Sequence, residues 1–474
     1  MKSSLADNSH ENYVDTVGWL LSIIVPIITY FVFLANEVAL EVVIFSSILS
    51  SAIVMWMFKL IPEYLPGVLV IIACASLGLA PTNVILSGFA SETFIMVFSV
   101  LAITVLIARS GLISRLILTL LKFFPKKKDH FDSVFFISFA FLTPFIPSII
   151  SRTHLVGKSI VDFTNMFGLK KQGDQITKMA VSAFFGTSLF SNIFLSASLM
   201  NFIILALLPL QEQLQFQLRG WLEASLVAFV VMLISYFLLY RIFFRSDESI
   251  QIPKKIIDKQ LDALGPISKD EWISLAVIAV LITGMLTFSY HEISPTWIAF
   301  GLTYILLALN VLSREEILSK VDWLFLLLMA TFIGISSIIT YFNISGSVSE
   351  KLRAFTNIFE NSPEILFTFF VVLTIVIRFF LPIGATIAML VPLFITLSGL
   401  YGITAWTACF ACLMVTDMWF FKYQCIFYSP MISAFEGAGI SFDEKKFLTF
   451  NAIANIVRIL AIFASFYYWR WLGL

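Results

Sequence analysis

Charge is what this sequence has least of. Asp, Glu, Lys and Arg make up 13% of its 474 residues, about half of the ~25% usual in a soluble globular chain. The formal net charge is +0, so no basic excess is available to meet a nucleic-acid backbone, and no nucleic-acid partner is expected. Cysteine is scarce as well: Cys74, Cys409, Cys412 and Cys425 all sit in apolar context. Cys409 and Cys412 form a CxxC on a predicted membrane helix and read as small packing residues rather than a redox or metal pair. HExxH, GxSxG, a P-loop and any Cys/His cluster are absent. With no catalytic set and no metal set, the chain is not expected to be an enzyme or to carry a cofactor. A cleavable signal peptide is missing too. The first apolar run, "GWLLSIIVPIITYFVFL", follows an acidic start with one lysine and no small-residue cleavage site, and reads as a retained span.

What is abundant is apolar: 59% of residues are hydrophobic and the mean hydropathy is +0.95. The composition predicts an all-α polytopic membrane protein. Windows near the ~20 residues that cross a bilayer fall at 18–34, 38–58, 64–80, 92–110, 178–208, 221–243, 272–289, 295–311, 322–342, 403–430 and 447–471, eleven candidate spans. Two further apolar segments, 131–166 and 363–397, are too long for one crossing and are broken midway by proline and polar residues. Each reads as a re-entrant hairpin, because a broken backbone at membrane depth is tolerated only inside protein or beside a water-filled cavity. The lysine run Lys126-Lys127-Lys128 reads as a cytoplasmic anchor. With the N-terminus (1–17) in the cytoplasm and both hairpins re-entrant, only Arg219, Lys351, Arg353 and Arg470 of the basic loop residues fall outside, as the positive-inside rule requires.

The chain divides at a hydrophilic linker, 244–271, into halves 18–243 and 272–474 that echo each other. "FIMVFSVLAITVLIARSGLISRLILTLL" and "FLLLMATFIGISSIITYFNISGSVSEKLRAF" share the order span, break, amphipathic helix. A shift of 235 residues relates Gly111 to Gly346, and the same shift relates Pro147 to Pro382, at the two hairpin breaks. An odd number of spans separates equivalent elements, so the repeat is inverted, a pattern of secondary transporters.

Several stretches then carry a resemblance: "LDALGPISKDEW" (261–272) before the second half, "LSGFASETFIMVFSVLAITVLIARSGL" (86–112), "VDWLFLLLMATFIGISSIITYFNISG" (321–346) and "LPIGATIAMLVPL" (381–393). In their order and spacing the chain resembles the divalent anion:sodium symporter family, carriers of sulfate, citrate and dicarboxylates. The resemblance implies eleven spans, two re-entrant hairpins, a scaffold domain that forms a homodimer and a transport domain that moves as an elevator. It also implies a small anionic substrate and a place in a bacterial inner membrane.

The family's hairpin tips carry Ser-Asn-Thr motifs whose oxygens serve sodium and the substrate. Here the first tip, inside "TPFIPSIISRTHLVGKS", reads Ser151-Arg152-Thr153, and the second reads Pro382-Ile383-Gly384 with Thr386 nearby. The fifth span keeps Gly186 and Thr187, and the tenth reads "FKYQCIFY", with Lys422 and Gln424 where the family has a proline pair. The candidate substrate set is then Ser151, Arg152, Thr153, Gly186, Thr187, Gly384, Thr386 and Gln424 at these stretches, with Arg378 added as an arginine on the second hairpin near, but not at, the place equivalent to Arg152. A fixed cation ~4 Å from sodium repels it by about 4 kcal/mol at an effective dielectric of 20, so sodium coupling is expected to be weak or absent.

Arg152 reads either as a permanent counter-charge for an anion, gripped through its planar fork, or as a structural residue paired with Asp417 or snorkelling to the cytoplasm. Arg378 reads as the second prong of an anion clamp, or as a bend cap or partner of Glu364. His154 and Asp417 are the coupling candidates, since imidazole and carboxylate are the side chains that exchange a proton most readily. A core histidine and a structural Asp417–Lys422 pair are the plain alternatives. Lys158 reads as an ammonium reaching the cytoplasmic interface. The expected function is a secondary carrier of a small anion. Other readings are a cation/proton antiporter of the wider superfamily and a non-transporting sensor or assembly partner on a decayed transporter scaffold.

Overall fold

The computed structural model describes residues 2–123, 131–146, 148–244, 254–352 and 362–474. Pro147, Lys126 to Lys128, Arg245 and Arg353 lie outside the described residues. Helices make up the architecture, and among the described residues there is no strand beyond one isolated bridge, Gln172 to Ser441. Among those residues, seven helices are long and apolar enough to cross a membrane: Val14–Ala35, Leu40–Phe58, Glu92–Arg109, Arg219–Phe243, Trp323–Tyr341, Ile383–Tyr401 and Glu444–Trp471. The shorter apolar helices Tyr64–Ser76, Pro295–Ala308 and Ala405–Thr416 fall on expected spans. The chain is thus an all-α polytopic membrane protein.

Two expected spans are not continuous. Window 178–208 separates into helices Asp174–Ser188 and Leu199–Leu207, and window 403–430 into Ala405–Thr416 and Ser429–Ala438. Hydropathy alone cannot see such a break, because the intervening residues remain mostly apolar. What permits it is side-chain chemistry that satisfies the freed backbone groups, described below.

Span, break and amphipathic helix do occur twice, but one break moves. Gly111 takes a left-handed φ of 81° between Glu92–Arg109 and Leu112–Phe123. In the second half the left-handed residue is Asn343, φ 51°, three residues before Gly346, which lies inside helix Ile344–Leu352. Asparagine is among the few non-glycine residues that enter this region readily.

The chain forms two compact units, and neither follows a sequence half. One comprises Met1–Phe94, Ile203–Gln213 and Asp322–Asp417; the other comprises Ile95–Phe202, Leu214–Val321 and Met418–Leu474. The first hairpin lies in the second unit and the second hairpin in the first.

In the first unit a core of Phe45, Trp56, Ile71, Phe332, Ile335 and Ala385 joins the second and third spans to Trp323–Tyr341 and the second hairpin. Backbones approach closely there: a Cβ on Gly334 would lie 2.6 Å from the Ile85 carbonyl oxygen, and one on Gly88 2.0 Å from that of Ala330. Glu212 supplies a remote helix cap, its two carboxylate oxygens accepting from the Ala405 and Trp406 amides at 3.1 and 2.6 Å. A carboxylate at a helix N-terminus meets both orphan N–H groups and the positive dipole end. Glu212→Ala is expected to cost about 1–2 kcal/mol and to speed amide exchange at Ala405 and Trp406 in hydrogen–deuterium measurements. Unchanged exchange there would show that the cap is dispensable.

In the second unit the helix Leu112–Phe123 is bound to the linker. Arg115 pairs with Glu271 at 2.6 Å and donates to the Gly265 carbonyl, while Glu271 closes a capping box with Ser268. Arg109 pairs with Glu316 at 2.7 Å. Burial works to raise the Glu316 carboxyl, but the Ser313 backbone amide, Lys320 and Arg109 outweigh it and hold the group at about 2.

Candidate functional site

The first hairpin is helix Phe131–Leu142, a short turn, then helix Ile149–Met166. Its first arm has 12 residues, about 18 Å of helix, too short to cross a hydrocarbon core of ~30 Å. Pro144, in the short turn Thr143–Phe145, and the Ser148 cap mark the described part of the break: the Ser148 hydroxyl accepts from the Ser151 amide at 3.2 Å. The Arg152 side chain then turns inward and is 1% exposed. Its Nη1 donates to the carbonyls of Ile146, Thr143 (3.2 Å) and Ala197 (2.6 Å), and its Nη2 to the Ser191 hydroxyl at 2.8 Å. Three of these oxygens converge on one nitrogen, and together the four come from the hairpin break and from the break in the fifth span. One guanidinium therefore joins two irregular segments.

The fifth-span break is satisfied by polar side chains whose task the sequence does not show. The Asn201 amide donates to the carbonyls of Ser191, Phe194 and Leu195, Trp221 Nε1 to Asn192, and the Ser225 hydroxyl to Ile193. The Thr143 hydroxyl donates to the Gly186 carbonyl at 3.1 Å. Such partners are what keep a broken backbone stable without water. The signal available in sequence was the run of Ser and Asn through 188–201, in an otherwise apolar window.

Around Arg152 the other candidates take local roles. Ser151 bonds to Ser148 at 3.0 Å, and the Thr153 hydroxyl donates to Ile149 and Ile150 carbonyls one turn back. Thr187 is buried and donates to the Phe184 carbonyl at 2.7 Å. Gly186 is a close-approach position: a Cβ there would lie 2.5 Å from the Phe136 carbonyl oxygen of the first hairpin arm. His154 is exposed and faces away from this cluster.

The second hairpin is Pro363–Arg378, a turn, and Ile383–Tyr401, ended by Gly402 at φ 73°. Its return arm runs to Tyr401 rather than 397. Arg378 Nε donates to the Thr416 carbonyl at 2.8 Å and Nη1 to the Leu381 carbonyl at 3.2 Å. Arg378 thus links the hairpin turn to the place where the tenth span breaks. The 235-residue shift that relates Pro147 to Pro382 also relates Ile146 to Leu381, so each arginine grips the equivalent carbonyl of its own hairpin. Glu364 is no partner for Arg378, because it sits at the other end of the same helix, roughly 21 Å away by helical rise. Asp417 is the residue after Thr416, half-buried at the helix end. Gly384 packs under Phe332, whose ring would clash with any Cβ at 2.1 Å. The Thr386 hydroxyl donates to the Pro382 carbonyl at 3.0 Å.

Past the tenth-span break, the side-chain oxygen of Gln424 accepts from the Phe420 and Phe421 amides at 2.9 and 3.1 Å. Asn451 and Asn455 both donate to the Trp419 carbonyl. Lys422 pairs with Glu444 at 2.5 Å, so the expected pairing with Asp417 gives way to a partner at the head of the last helix. Cys409 and Cys412 are buried in Ala405–Thr416 with no disulfide between them.

A hairpin followed by a broken span, occurring twice, is the arrangement found in secondary transporters, where irregular backbone at membrane depth is held by protein groups. The model of the sodium:sulfate symporter transmembrane region matches residues 14–474, and the chain belongs to that family of anion transporters. It is similar to the inner membrane protein YbhI of Escherichia coli (strain K12), 23% identical over 446 residues, which cover 89% of this chain and 90% of YbhI.

Proposed function

We propose that the protein is a secondary carrier of a small anion, of the di- or tricarboxylate or sulfate kind, working by exchange or proton coupling with little or no use of sodium. The observation that carries this reading is the set of oxygens around Arg152. Converging carbonyls and a hydroxyl are what a hard cation seeks, and here a guanidinium takes all four. A sodium ion ~4 Å from it would meet about 4 kcal/mol of repulsion at an effective dielectric of 20. With both terminal nitrogens engaged by protein oxygens, Arg152 is read as the fixed cation that holds the tip, and the anion as sensing its charge without replacing its partners. The return arm of each hairpin begins at the break, so its positive dipole end lies at the tip. Elevator motion and a homodimer, implied by the resemblance, complete the reading, with family membership as their support.

Uptake into proteoliposomes tests it. Anion uptake is expected to agree within about twofold with and without an inward sodium gradient, since an absent ion contributes no driving force. Stimulation beyond about tenfold, equivalent to ~1.4 kcal/mol of coupling, would overturn it.

A further inference from the structure

The return arm of the first hairpin, Ile149–Met166, buries one face against Ser429–Ala438 and Asp174–Ser188. A Cβ on Gly157 would stand 2.7 Å from Ala434 Cβ, which shows how close that packing is. The opposite face is exposed at Ile150, His154, Lys158, Asp162 and Asn165. Steps of four, four, four and three make a single stripe along a helix. By helical rise Lys158 lies about 12 Å and His154 about 18 Å from Met166, toward the tip.

Elsewhere this chain covers its outward faces with hydrocarbon. Leu226, Val230, Ile234, Phe237 and Leu238 are the exposed residues of the middle of Leu218–Phe243, whose exposed charges, Arg219, Glu223 and Arg241, stand toward its ends, and the first span exposes Ile23, Ile27 and Phe31 among other apolar residues. A stripe of imidazole, ammonium, carboxylate and amide does not fit that solvent, because ionised groups within a membrane face protein or water rather than lipid. Among the described residues Lys158 forms no ion pair, and Asp162 stands one turn away on the same stripe. Lys158 sits one turn from His154, and His154 one turn from the tip.

We propose that this stripe lines a water-filled route by which the anion reaches the first hairpin tip from the cytoplasmic side, and that Lys158 is the charge that draws it in. The cargo rests on the anion-carrier reading above; the wetting of the stripe does not. Acting through a field rather than a contact, Lys158 raises the local concentration of anions and lowers that of cations.

Thiol labelling tests it, helped by the burial of all four native cysteines. His154→Cys and Asp162→Cys, in inside-out membrane vesicles, are exposed to a negatively and a positively charged methanethiosulfonate of similar size. Ile234→Cys serves as the lipid-facing control. Both stripe positions are expected to react more than tenfold faster than the control. At His154→Cys the ratio of anionic to cationic rates is expected to fall when Lys158→Gln is added. The fall is about tenfold at low salt for charges ~6 Å apart in a water-like dielectric, and about threefold at physiological ionic strength. Labelling no faster than at Ile234→Cys would place the stripe against lipid and overturn the route. An unchanged rate ratio would overturn the role of Lys158. Labelling needs no turnover, so either failure is distinct from failure of the anion-carrier reading, which an absence of anion uptake would show.

Discussion

Arg152→Ala is expected to abolish anion uptake and to lower the thermal stability of the purified protein. The cost is about 3–5 kcal/mol, the usual range when one partner of a buried charged network is removed. The reason lies in what is left behind. The Thr143, Ile146 and Ala197 carbonyls and the Ser191 hydroxyl converge on the guanidinium, and without it they face one another with no donor. Water in the vacated space would satisfy some of them but would not hold the hairpin break to the fifth-span break. A small cation should do better. Guanidinium ion at tens of millimolar is expected to raise the melting temperature of Arg152→Ala and leave the parent unchanged, because binding only to the folded variant stabilises it by mass action. Sodium is expected to do the same more weakly, now that no fixed cation repels it. Failure of every cation to stabilise Arg152→Ala, with normal uptake, would show that the oxygens do not form a cation site.

Arg378→Gln carries the second large effect. Its guanidinium bridges the Leu381 and Thr416 carbonyls, and it is half-buried where Arg152 is enclosed. The expected stability loss is therefore smaller, about 1–2 kcal/mol, as for one or two net hydrogen bonds. The expected loss of uptake is larger than tenfold, since a 1 Å misplacement of binding groups alone can cost a factor of ~100 in a site that needs fixed geometry. Arg378→Lys keeps the charge but loses the fork, and is expected to recover stability more than uptake. Uptake by Arg378→Gln within twofold of the parent would show that the link between hairpin turn and tenth-span break is not needed for transport.

Much of the molecule was legible in its residues. Scarce charge and windows of some twenty apolar residues fix a polytopic helical chain, because a bilayer leaves a spanning segment few other solutions. Proline and polar residues inside "TPFIPSIISRTHLVGKS" mark the hairpin break, and a buried arginine there stands out against its neighbours. The Ser and Asn residues of the fifth span were visible as well, but not their task, since a hydroxyl bonded to its own helix reads the same in sequence as one bonded to a distant carbonyl.

Where Arg152 and Arg378 point was not legible at all. Sequence offers a guanidinium its choice of carboxylate, anion or interface, and a pairing of Arg378 with Glu364 looked open until helical rise set them apart. The same holds for Lys422, whose partner Glu444 is 22 residues further on. The sequence by itself determined that helices cross a membrane, where the two hairpins break and which charges must be accommodated, because hydrophobicity, proline and chain direction act locally. Only the tertiary structure decided which carbonyls meet each arginine and which face of the hairpin helix is left exposed. Those outcomes depend on segments that are distant in the chain and meet only when it is folded.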